Sequence, residues 1–106
     1  SIFGENMPLA TLGLYTMSKF AVEGLTRAWA RDLGPRGITV NCVQPEPIDT
    51  DMNPAQGPCA DILTPHTALG RYGKPEQIAE LVAFLAGPQS SYLTGACLNA
   101  DGGTNA

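Results

Sequence analysis

Glycine and proline punctuate this chain so sharply that few segments are free to be regular, and the order of those segments constrains the fold. Gly34-Pro35-Arg36-Gly37 is a helix stop, with Gly just past the last turn and Pro behind it. Ahead of it, Thr11 is the expected N-cap of a helix from Leu12 to Leu33. Behind it, Ile38 to Gln44 is β-branched and alternating, bounded by Gly37 and Pro45, and reads as a strand. From Pro45 to Lys74 the chain holds Pro45, Pro47, Pro54, Pro58 and Pro65. A connection this long inside a compact domain is expected to be a functional loop or lid, with a short helix near Asp61-Ile62-Leu63. Pro75 opens a second helix in which Ile78, Leu81, Val82 and Leu85 follow the i, i+3, i+4, i+7 pattern, and Gly87-Pro88 closes it. Thr94-Gly95 then leads into a short strand, Ala96 to Ala100, ended by Asp101-Gly102-Gly103.

Helix, strand, lid, helix, strand is the alternation of an α/β fold with a parallel sheet and right-handed crossovers. Ligands of such sheets bind beyond the carboxyl ends of the strands. Here that edge is Gln44 to Thr50. The first helix carries two apolar stripes, Val22, Leu25, Trp29 and Leu33 on one side and Met17, Ala21, Gly24 and Ala28 on the other. A helix apolar on two sides is expected to be buried on two sides, one against a sheet and one against a neighbouring helix, a second subunit's included.

Composition narrows the function classes. The 106 residues bound one domain at most, and 43% hydrophobic with 15% charged describes a globular chain. No apolar run approaches the roughly 20 residues that span a bilayer. A net charge of −4, with few and scattered Lys and Arg, argues against a nucleic-acid partner. Cys42, Cys59 and Cys97 are odd in number and lack C-x-x-C spacing, so reduced thiols and a cytoplasmic home are expected. Asp49, Asp51 and Asp61 lack metal-ligand partners, and no metal site is expected. His66 stands alone among prolines as a lid or substrate-contact residue. Ser1-Ile2-Phe3 reads as the end of a strand already under way, so the expectation is the C-terminal part of a longer chain.

Tyr15 and Lys19 are the residues with chemistry in them. Four apart on a helix, they lie one turn above each other with Cβ atoms roughly 6 Å apart. A free phenol has a pKa of about 10, and poising it near 7 requires about 4 kcal/mol in favour of the phenolate. A cation about 5 Å away supplies about 3 kcal/mol at an effective dielectric near 20, but under 1 kcal/mol in bulk water. The pair therefore serves as a proton relay only in a partly buried site. An isolated Tyr-x-x-x-Lys elsewhere is a core aromatic beside a solvated lysine.

Taken together, S-x-x-G at Ser1 to Gly4, Y-x-x-x-K at Tyr15 to Lys19, and Gly37-Ile38-Thr39-Val40-Asn41 resemble the C-terminal portion of the short-chain dehydrogenase/reductase family. Pro45-x-x-Ile48-x-Thr50, Leu69 to Glu76, Leu93-Thr94-Gly95 and Asp101-Gly102-Gly103 extend the likeness over nearly all of the chain. The resemblance implies the C-terminal part (1–106) of a single doubly wound, Rossmann-type domain. It implies hydride transfer between NAD or NADP and a small-molecule carbonyl or alcohol, in a homodimer or homotetramer. Tyr15 would be the general acid/base and Ser1 would hydrogen-bond the substrate oxygen. Lys19 would tune Tyr15 and hold the nicotinamide ribose; the Ile48 backbone and Thr50 would position the carboxamide, and Tyr15 and Pro45 would also bind the cofactor.

Three departures matter. The Gly-rich turn that meets the pyrophosphate and the Asn that usually completes the catalytic set have no counterpart here, so these 106 residues alone are expected to be inactive. Ser1 and Tyr15 stand slightly further apart than is usual. Where the family usually has Gly after the strand-ending Pro, this chain has Glu46. The side chain either turns to solvent or points inward at the expense of cofactor binding, and in the inward case Glu46→Gly should strengthen that binding. A non-catalytic alternative stays open. Val43-Gln44-Pro45 and Pro47 to Asp51 also look like a subgroup that includes a cyclic-dinucleotide-binding regulator.

Overall fold

The computed structural model describes residues 12–106. In chain order the regular elements are α1 (Gly13–Leu33), β1 (Cys42–Pro45), α2 (Ala60–Leu63), α3 (Pro75–Ala86) and β2 (Cys97–Ala100). Single 3₁₀ turns occupy Gly34–Arg36, Thr64–His66 and Pro88–Ser90. β1 and β2 pair in parallel, with Cys42 opposite Cys97 and Pro45 opposite Ala100. The lid and α3 form the crossover between them, as the alternation of segments requires.

The expected helix begins at Gly13 with Leu12 in the cap position and no side-chain cap; Thr11 and Ser1 lie outside the described residues. Gly37 takes φ 72° after the 3₁₀ turn, a conformation open to glycine at little cost. β1 is shorter than the Ile38–Gln44 strand read from the sequence, because a strand needs a partner and β2 starts only at Cys97. The preceding residues pair with the loop instead. Thr94 Oγ1 accepts from Val40 N at 3.1 Å, and Gly95 N donates to Val40 O at 2.7 Å. Asn41 completes the seam, with Nδ2 donating to Leu93 O at 2.8 Å and Oδ1 accepting from Ala96 N at 3.1 Å. Its amide stands in for a peptide group one step before the ladder begins.

Among the described residues, the two apolar stripes of α1 are not the faces it buries. Val22, Leu25 and Trp29 are 50%, 43% and 49% exposed, and Met17 is 63% exposed. The buried face is Glu23, Thr26 and Ala30, turned to the sheet. Glu23 accepts a hydrogen bond from Gln44 Nε2 of β1, and Thr26 Oγ1 donates to Val22 O at 2.8 Å, so both polar groups are satisfied. The helix comes so close that a Cβ on Gly95 would meet Ala30 Cβ at 3.4 Å. Among the described residues the buried apolar side chains are Ala30, Pro47, Ala60 and Tyr72.

The lid is pinned where it leaves and rejoins the sheet. Ile48 and Gly73 form a parallel bridge, Asp49 N donates to Gly73 O, and Gly73 N donates to Pro47 O, both at 2.9 Å. Further out, Asp49 Oδ1 accepts from Ala55 N at 2.7 Å, and the buried Tyr72 donates its hydroxyl to Asn53 Oδ1 at 3.1 Å. α3 keeps its Pro75 start, and Gln77 Oε1 accepts from Lys74 N at 2.9 Å. Its Ile78, Leu81 and Leu85 are half-buried, while Val82 is exposed. No helix among the described residues is long and apolar enough to cross a membrane.

Candidate functional site

α1 delivers Tyr15 and Lys19 from its first two turns, and both side chains lie on one face. Lys19 Nζ stands over the Tyr15 ring, 5.1 Å from its centroid. A cation over an aromatic face is worth about 0.5–1 kcal/mol where water has access. Tyr15 is 43% exposed, so the described residues do not by themselves give the low-dielectric surroundings in which a phenol and an ammonium couple strongly.

Two cavities meet at Tyr15. The smaller, about 190 Å³, lies between α1 and β1 and is lined by Tyr15, Lys19, Glu23, Gln44, Pro45 and Glu46 among others. The larger, about 470 Å³, lies beyond the carboxyl end of β1 under the lid, lined by Tyr15, Pro45, Ile48, Thr50, Met52 and Cys59 among others. Tyr15, Pro45 and Glu46 belong to both walls. The structure thus gathers Tyr15, Lys19, Pro45, Ile48 and Thr50 around one hydroxyl-bearing side chain, while Ser1 lies outside the described residues. Glu46 is half-buried and also lines a third cavity of about 420 Å³, with Arg71 and Asp101, on the α3 side. Glu46 thus contributes to the walls of all three cavities.

The pinned base of the lid leaves a donor and an acceptor in this wall. The bridge uses the N–H of Asp49 and both backbone groups of Gly73, while the N–H and C=O of Ile48 take no part in the hydrogen bonds among the described residues. One N–H and one C=O side by side complement a carboxamide, which offers both an acceptor and a donor. Thr50 Oγ1 accepts from Asn53 N at 3.3 Å and retains its own proton to donate. This donor set fits the amide end of a nicotinamide.

Sequence reasoning missed Met52, Asn53, Leu63 and Thr104, which complete the larger cavity. The first three reach it through the folding of the lid, which no local pattern encodes. Thr104 carried a signal, since it follows Asp101-Gly102-Gly103 directly. Cys59, read as a lid thiol, is exposed and stands in the same wall. Cys97 is half-buried; burial pushes its thiol up from the ordinary range, with Cys42 and Glu23 adding to the effect. His66 is exposed at the end of a 3₁₀ turn and lines neither cavity at Tyr15. No group of three or more His, Cys, Asp or Glu among the described residues is arranged to hold a metal ion.

Known proteins resemble this chain over nearly its whole length. A family model described as enoyl-(acyl carrier protein) reductase matches residues 1–105. The cyclic-di-GMP-binding biofilm dispersal mediator protein of Escherichia coli (strain K12) is 53% identical over 102 residues, covering 96% of this chain and 43% of that protein. A short-chain dehydrogenase/reductase from Serratia marcescens superimposes with a TM-score of 0.93 at 57% identity, covering 100% of this chain and 43% of the other. A short-chain dehydrogenase from Burkholderia cenocepacia, solved with NADP, gives 0.93 at 49% identity with the same coverage. The chain spans less than half the length of these relatives. The parallel strands, the intervening helices and these matches establish a Rossmann-type α/β fold, and the chain belongs to the short-chain dehydrogenase/reductase family.

Proposed function

We propose that these residues form the acid/base and substrate side of an NAD(P)-dependent oxidoreductase that interconverts a ketone and a secondary alcohol. The observation that carries this reading is the convergence of Lys19, Pro45, Ile48 and Thr50 on Tyr15 at the junction of two cavities. A bound nicotinamide would supply the hydride donor or acceptor. Lys19 would hold its ribose, and the Ile48 backbone with Thr50 its carboxamide. Tyr15 would give its proton to the carbonyl oxygen in reduction and take it back in oxidation. Lys19, 5.1 Å from the centroid of the same ring, places a positive charge beside the group that moves the proton. Ser1 is proposed as the second hydrogen-bond donor to the substrate oxygen. The test is Tyr15→Phe in the full-length gene product, assayed over a panel of ketones with reduced cofactor. Turnover retained without the hydroxyl would rule Tyr15 out as proton donor.

A second reading has its own support. The Escherichia coli relative, 53% identical, is named for binding cyclic di-GMP, and Glu46 departs from the family's usual Gly beside Tyr15. In that reading the larger cavity takes a cyclic dinucleotide and performs no chemistry. Calorimetric titration with cyclic di-GMP and with NADPH separates the two: heat with the first and none with the second selects the regulator.

A further inference from the structure

We infer that Glu46 biases the site toward the oxidised, cationic form of a nicotinamide cofactor over the reduced, neutral form. This rests on the proposed cofactor site and adds a charge preference within it. Glu46 is half-buried in the wall shared by both cavities that meet at Tyr15, next in sequence to Pro45 and two residues before Ile48. The two redox forms share their phosphates, riboses and carboxamide and differ by one positive charge on the ring. A carboxylate in that wall attracts the cation and leaves the neutral ring nearly unaffected. Its repulsion of the phosphates acts on both forms alike and cancels in their ratio. Lys19 contributes with the opposite sign from the other side of Tyr15. Partial burial matters because a charge pair in a cleft interacts several times more strongly than in bulk water. The consequence for the proposed reaction follows from its charge balance. Reduction moves a hydride to the carbonyl carbon and the Tyr15 proton to its oxygen, and once the Tyr15 phenolate has regained a proton from solvent it leaves the positive ring as the new charge beside Glu46. The carboxylate therefore favours ketone reduction on the protein.

The experiment is calorimetric titration of the full-length gene product with NADP⁺ and NADPH, and with NAD⁺ and NADH, for the native protein, Glu46→Gln and Glu46→Gly. Glu46→Gln keeps shape and removes charge. It is expected to lower the oxidised-over-reduced affinity ratio by about tenfold, chiefly by weakening the oxidised form. A ratio that moves by less than about twofold in Glu46→Gln, with both forms bound, overturns the inference and leaves the cofactor site standing. A ratio that shifts only in Glu46→Gly also overturns it, because bulk rather than charge would then be responsible. Neither form bound by any of the three proteins removes the cofactor reading itself and this inference with it.

Discussion

At Tyr15 the physics is a contest between one nearby cation and the water that screens it. Lys19 is close enough, 5.1 Å from the ring centroid, and what varies is how much solvent the site admits. In the full-length gene product, Tyr15→Phe is expected to lower kcat by about a hundredfold or more with little change in cofactor affinity, read by steady-state kinetics beside calorimetry. The cysteines give a second residue-level outcome. Cys59 is exposed in the lid, whereas Cys97 is half-buried with its thiol pushed up by burial. An uncharged thiol reagent at neutral pH should label Cys59 first and Cys97 last, by peptide mass mapping, because only the thiolate reacts. Labelling of Cys97 ahead of Cys59 would contradict the packing described. The Tyr15–Lys19 pair was legible from spacing on one helix and the Gln44–Thr50 edge from its place at a strand end, while the roles given to Ile48 and Thr50 came from the family resemblance. Glu23 was not. It sits among apolar positions as an ordinary helix-surface acid, and only the approach of Gln44 explains its burial.

Elements here are joined by small, specific devices rather than by a broad core. At the base of the lid, a Cβ on Gly73 would stand 2.8 Å from Ile48 Cδ1, beside the backbone that forms the bridge. Gly73→Ala is expected to swing the flexible end of the Ile48 side chain aside, lowering stability by at most about 1 kcal/mol with a correspondingly small loss of cofactor affinity. Urea unfolding with a cofactor titration reads both effects, and an unchanged affinity would separate the bridge from the site. Asn41 joins the run before β1 to the loop before β2 with both ends of its amide. Asn41→Ala should cost about 2 kcal/mol in the same unfolding measurement, because a peptide N–H and a carbonyl lose their partners.

Across the whole molecule, Tyr72 links the lid to pH. Burial pushes its phenol above the ordinary value, and Cys59 and Asp49 add to the rise. A raised acid means that the folded state holds its proton longer than the unfolded state. The associated stability is present below about pH 10 and is lost as pH rises through the raised value. Tm should therefore fall more steeply above pH 10 in the native protein than in Tyr72→Phe; parallel curves would remove Tyr72 as the cause. The sequence by itself determined the order of elements, their stops at Gly and Pro, the parallel alternation and the Tyr15–Lys19 face. These depend on backbone preferences and on spacing within a few residues. Only the tertiary structure decided which face of α1 meets the sheet, where β1 begins, how the lid folds under Tyr72 and that Glu46 enters the cavity wall. Each of these is fixed by a partner distant in sequence, and a hydrogen bond or a close approach between such partners leaves no local mark in the chain.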